Sequence, residues 1–168
     1  MHIVNALSGG DKRSIGRANE VVAYVLANPF ALPELILGLD GDDVVRMRTL
    51  DVLEKISVTH PQWLTAYSEQ ILRLGEDSAA PDVGWHTAQI LPRLMLSIEA
   101  QRRAISLLFS YLDGPSRIQR SCALTGLVDF AKREPAIQSR VLAELRQAEH
   151  SGIASLEARA RKLLRQFN

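Results

Sequence analysis

Four stretches of this chain repeat one pattern of small and large residues at nearly constant spacing, and that periodicity restricts the available folds more than any other feature. The copies are Val45-Arg46-x-Arg48-Thr49-x-x-x-Leu53-x-x-Ile56, Val83-x-x-His86-Thr87-x-x-x-Leu91-x-x-Leu94, Gln119-Arg120-x-x-Ala123-x-x-x-Leu127-x-x-Phe130 and Leu156-x-x-Arg159-Ala160-x-x-x-Leu164-x-x-Phe167. They begin at residues 45, 83, 119 and 156, so the intervals are 38, 36 and 37 residues. A period of roughly 20 to 50 residues marks an architecture of stacked units. At about 100° per residue, Thr49, Leu53 and Ile56 fall on one helix face. The small residue lets a neighbouring helix approach closely, and the larger ones fill the layer beyond it.

A second amphipathic stretch precedes each copy. These are Leu35-Ile36-x-x-Leu39, Ile71-Leu72-x-Leu74, Ile105-x-Leu107-Leu108-x-x-Tyr111-Leu112 and Val141-Leu142-x-x-Leu145. Apolar residues three and four apart indicate a helix with one buried stripe. Every unit therefore reads as helix A, a turn and helix B. The turns carry the chemistry such a reading needs: Asp40-Gly41-Asp42-Asp43, Asp77-Ser78-Ala79-Ala80-Pro81-Asp82, Asp113-Gly114-Pro115-Ser116 and His150-Ser151-Gly152. Glycine closes a helix, and Asp or Ser accepts from the free N–H groups of the next one. Asn28-Pro29, His60-Pro61 and Glu134-Pro135 separate the units, because Pro suits a first helical turn. Ile15, Ala18, Val22 and Val25 predict a further, unpaired helix over residues 14–28.

The composition agrees with helices packed on helices. The chain has 168 residues, 46% apolar but only 5% aromatic, enough for a core of Leu, Ile, Val and Ala. A lone cysteine, Cys122, excludes an internal disulfide. With no long apolar run and no basic, apolar leader at Met1-His2-Ile3, a soluble cytoplasmic protein is expected. The net charge of +1 hides an asymmetry: residues 29–116 hold 12 acidic and 7 basic side chains, residues 117–168 hold 5 and 10. The two ends should present opposite fields.

The helix–turn–helix units, the Asp-rich turn at residues 40–43 and Val45-Arg46 resemble HEAT repeats of the short, HEAT-like kind. The resemblance covers about residues 30–168. Gly84 and Glu157 stand where Arg is usual, and Gln119 stands where Val is usual. Armadillo units carry a third helix, and the tetratricopeptide Trp/Gly/Tyr pattern is missing. The resemblance implies an all-α, right-handed α-solenoid of about four HEAT-like helix pairs plus an N-terminal helix. Its units would span about 30–60, 61–97, 98–134 and 135–168, forming a single domain over residues 14–168 behind a flexible segment at 1–13.

In such a solenoid the B helices line the concave face. Offsets of 38, 74 and 111 then place Arg48 in one column with His86, Cys122 and Arg159. The same offsets relate Lys55 to Arg93, and Asp51 to Gln89 and Lys162. Arg48, Lys55, Trp85, His86, Gln89, Arg93, Arg159 and Lys162 are the candidate partner-binding residues, with ordinary solvated surface as the alternative. Trp85 is either an interface anchor or packed against a neighbouring unit. Pro92 should kink the second B helix, while Trp63 should hold the turn between units. Arg159, Arg161, Lys162 and Arg165 read as a polar end cap or as a phosphate-tracking patch.

The chain has no phosphate-binding loop, nucleophile elbow, zinc-protease motif or Cys-x-x-Cys. Its four histidines lack metal-ligand spacing. The expectation is a non-catalytic interaction or scaffold module without metal or cofactor, holding a protein or peptide along its B-helix face and avoiding membranes. Nucleic-acid backbone binding is the second reading, because HEAT-like helices cradle DNA in alkylation-repair glycosylases. An enzyme, by analogy with HEAT-like phycobilin lyases, would have only His86 and Cys122 to offer.

Overall fold

The computed structural model describes residues 1–167. Ten α-helices, joined by short turns and 3-10 segments, account for all the regular structure among the described residues, and no strand occurs. No helix among them is long and apolar enough to cross a membrane. The chain divides into two compact units, Met1–Leu64 and Thr65 onward. The first copy of the repeated pattern lies in the first unit and the other three in the second.

In the first unit, α1 (Ile3–Leu7), α2 (Ala18–Ala27), α3 (Leu32–Ile36) and α4 (Asp43–Thr59) form one core. Asp42 starts α4 by accepting from the Val44 and Val45 N–H groups, both at 2.9 Å. Val45, Thr49, Leu53 and Ile56 are buried as the pattern requires, and so are Met47, Leu50 and Val52 on other sides of the helix. That wider burial follows from α4 packing against both α1 and α2. Gly38 lets the turn after α3 press on Thr49, whose Oγ1 a Cβ at position 38 would strike. Of residues 1–13, where a flexible segment is expected, α1 packs into this core while residues 8–13 are exposed. Ile3 and Leu7 are fully buried, and the Ile3 N–H donates to Glu34 at 2.8 Å. In α2 the buried positions are Ala18, Val21 and Val25, whereas Ile15 is exposed.

The second unit holds three consecutive helix pairs: α5 (Ser68–Asp77) with α6 (Pro81–Ile90), α7 (Ile98–Tyr111) with α8 (Arg117–Ala131), and α9 (Gln138–Glu149) with α10 (Ala154–Leu164). Within it α6 packs on α8 and α8 on α10, while α5 packs on α7. Thr87, Ala123 and Ala160, the small positions of the pattern, are all fully buried, as are Leu91 and Leu127. Two glycines set the approach of α8 to α6. A Cβ at Gly126 would collide with the Ala88 carbonyl, and one at Gly84 with the Gln119 side chain. A Cβ at Gly75 would lie 3.0 Å from Tyr111 Oη and 3.2 Å from Thr87 Oγ1. Tyr111 donates to the Gly75 carbonyl at 3.0 Å, and burial pushes its phenol above the usual range. Ser97 and Ser116 cap α7 and α8.

Two details of the second unit depart from the sequence reading. Pro92 does not kink a long helix: α6 ends at Ile90, and Leu91–Arg93 forms a 3-10 turn that still buries Leu91 and Leu94. This is the local effect of a ring that removes one N–H and clashes with the carbonyl four residues back. In α10 the stripe runs through Leu156, Ala160 and Leu163, leaving Leu164 half-exposed. Because α10 packs on both α9 and α8, its buried line lies between those two faces, one residue away from the position used by Leu127.

Candidate functional site

Arg48 is not a surface ligand. Its side chain is buried, with 3% exposure for the residue, and a ring of backbone carbonyls takes up the guanidinium. Nη1 donates to the carbonyls of Leu7 at 2.8 Å and Gly9 at 2.7 Å, with Ser8 at 3.3 Å. Nη2 donates to Asp11 at 3.1 Å and Nε to Ser14 at 3.0 Å. The loop wraps this closely because Gly10 and Gly16 adopt φ of +72° and +53°. At Gly16 a Cβ would lie 2.9 Å from Cζ. A guanidinium carries five donors in a fixed plane, and this loop offers a carbonyl to each of its three nitrogens. Lys55, also in the first unit, is occupied as well. Its ammonium binds Asp51 at 2.6 Å and Asn19 at 2.8 Å.

In the second unit the expected residues separate by exposure. His86 is buried at 6% and therefore does not belong to an open binding strip. Its ring meets the edge of Trp85, with centroids 5.8 Å apart. Trp85, Gln89 and Arg93 are half-buried at successive turns of one line along α6 and the segment after it. Gln89 donates to the Trp85 carbonyl at 3.2 Å. Arg159 and Lys162 are exposed and three residues apart on α10. Between α6 and α10 lies α8, whose matching positions Ser121, Thr125 and Asp129 are half-buried and smaller than the residues flanking them. The structure thus brings Trp85, Gln89 and Arg93 together along α6 and the 3-10 turn after it, and Arg159 and Lys162 together on α10. Outside this set, Trp63 stacks on His60 with centroids 4.2 Å apart, the turn-holding part foreseen for it.

Sequence reasoning missed two features of the second unit. The first is an ion-pair network between helices A: Arg103 of α7 donates to Glu69 at 2.8 Å and to Glu76 at 3.0 Å, both on α5. Arg103, then Arg73, holds the Glu69 carboxyl below the usual range, and the same carboxylates raise Arg103. The second is a cavity of about 370 Å³ between the α7–α8 and α9–α10 turns. Asp113, Arg120, Glu144, Gln147, His150 and Ser151 supply its polar wall, and Leu112, Leu124, Ala148 and Leu156 its apolar one. The available signal was positional, since Asp113 and His150 stand 37 residues apart at the same step of successive units.

No group of three or more His, Cys, Asp or Glu among the described residues is arranged to hold a metal ion. Comparison of the chain with protein-family models, with curated proteins and with solved structures finds no match.

Proposed function

We propose that this chain is a HEAT-like, right-handed helical solenoid acting as a non-catalytic interaction module, and that it holds a protein or peptide along the B-helix face of its second unit. The observation that carries this reading is the division of each B helix into two faces. One face, through Thr87, Leu91, Ala123, Leu127, Ala160 and Leu163, is buried against other helices. The other keeps Trp85, Gln89, Arg93, Arg159 and Lys162 at least partly open to solvent. An aromatic anchor flanked by cations, beside a helix bearing the smaller Ser121 and Thr125, suits an extended segment carrying acidic and apolar side chains.

The test compares the chain with a Trp85→Ala, Arg93→Glu double variant as immobilised bait for partners from native cells. The reading expects specific partners to be lost from the variant while its melting temperature stays the same. Equal recovery by both proteins would reject this face as the site.

A further inference from the structure

We infer that the cavity between the α7–α8 and α9–α10 turns is a binding site for a small zwitterion with an apolar substituent, an α-amino acid or a dipeptide. The cavity lies wholly within the second unit, on the turns, and uses none of the residues assigned above to partner binding. Its volume of about 370 Å³ falls within the range of small-molecule sites.

Charge and partnering identify the class of ligand. Arg120 sits in the first turn of α8, half-buried, and its guanidinium makes no hydrogen bond or ion pair among the described residues. Asp113 and Glu144 line the same cavity and are likewise without an ion pair among those residues. Arg103, by contrast, is saturated by Glu69 and Glu76. The half-buried Arg120 and Glu144, with the exposed Asp113 at the rim, therefore line one space without pairing with one another. A ligand carrying both signs satisfies both ends at once, its carboxylate on Arg120 and its ammonium on Glu144 or Asp113.

The rest of the lining fits the same ligand. The half-buried Leu112, with the edges of the almost wholly buried Leu124, Ala148 and Leu156, forms a small apolar patch in a mostly polar lining, room for one short aliphatic substituent. His150 Nδ1 pairs with the Arg146 carbonyl at 2.9 Å, leaving Nε2 as its remaining polar atom. A doubly charged anion would meet two carboxylates, and a simple amine would meet Arg120. The mixed wall disfavours both.

The experiment uses the full chain and five probes in isothermal titration, with amide NMR shifts to locate the site. The probes are leucine, Leu-Leu, leucinamide, N-acetyl-leucine and N-acetyl-leucinamide. Leucine or Leu-Leu should bind and shift residues around 112–124 and 144–156. Comparing those two separates the free amino acid from the dipeptide. Leucinamide and N-acetyl-leucine should each bind about tenfold more weakly, since each loses one charge-assisted contact. In Arg120→Ala the preference for leucine over leucinamide should vanish, and in Glu144→Gln the preference over N-acetyl-leucine. Neither residue holds the fold together, and the five-probe series on the unaltered chain decides the question without the variants. Absence of localised shifts with leucine and Leu-Leu at millimolar concentration would overturn the proposal. So would equal binding of N-acetyl-leucinamide.

Discussion

Arg48 and Arg159 occupy the same step of the repeated pattern, one in each unit, and meet opposite surroundings. Arg48 is enclosed by the loop that runs from Leu7 to Gly16, and every nitrogen of its guanidinium reaches a carbonyl. Arg159 stands exposed on α10. The repeat fixes which side of the helix a residue occupies. Whether that side is covered depends on chain outside the repeat, here residues 1–16. A cation at a repeated position is therefore structural in the first unit and available to a partner in the second.

The contrast is best broken by truncating both arginines. Arg48→Ala should cost about 3 kcal/mol in urea unfolding, because it removes a buried side chain and strands the buried Leu7 carbonyl together with several part-buried ones. Arg159→Ala should stay within about 0.5 kcal/mol, as exposed substitutions do. Equal losses would mean that the loop does not depend on Arg48. Next in size, Leu127→Ala should cost about 3 kcal/mol, since this fully buried side chain would leave a cavity. The half-exposed Leu164→Ala should cost clearly less in the same assay, and a reversed order would refute the one-residue turn of the stripe in α10.

Gly126→Ala follows, at about 2 kcal/mol, because its Cβ would push the Ala88 carbonyl and Leu108 away. The smallest effect concerns acid. Glu69 has its pKa lowered in the folded chain by Arg103 and Arg73, so it contributes stability above its unfolded pKa. That contribution disappears as the pH falls through the folded value. Thermal melts of Glu69→Gln should accordingly differ from the parent at neutral pH and converge with it in acid.

Much of the packing was legible because it rests on local periodicity. Thr49, Thr87, Ala123 and Ala160 were singled out as small contact positions, and all four are fully buried. What escaped was the other half of each contact. Gly38 and Gly75 fit against Thr49 and Thr87 from the preceding helix or its turn, and nothing in the spacing of the B pattern points to them. The site was less legible for the same reason. His86 looked like a groove residue by register alone, yet it is buried. Arg48 drew its acceptors from residues 34 to 41 positions earlier, a distance over which periodicity carries no information. The turn cavity, assembled from Asp113 and His150 one repeat apart, required the pairs to be set side by side first.

The central functional claim is that the uncovered side of α6 meets a partner while the helices A do not. Photo-cross-linking reads this directly, with a photoreactive residue placed at Gln89 on α6 or at the exposed Ser106 on α7, each in the full chain in native cells. The account predicts a discrete adduct from position 89 that is lost with Trp85→Ala, and none from position 106. Adducts of equal yield from both positions, or from position 106 alone, would contradict it.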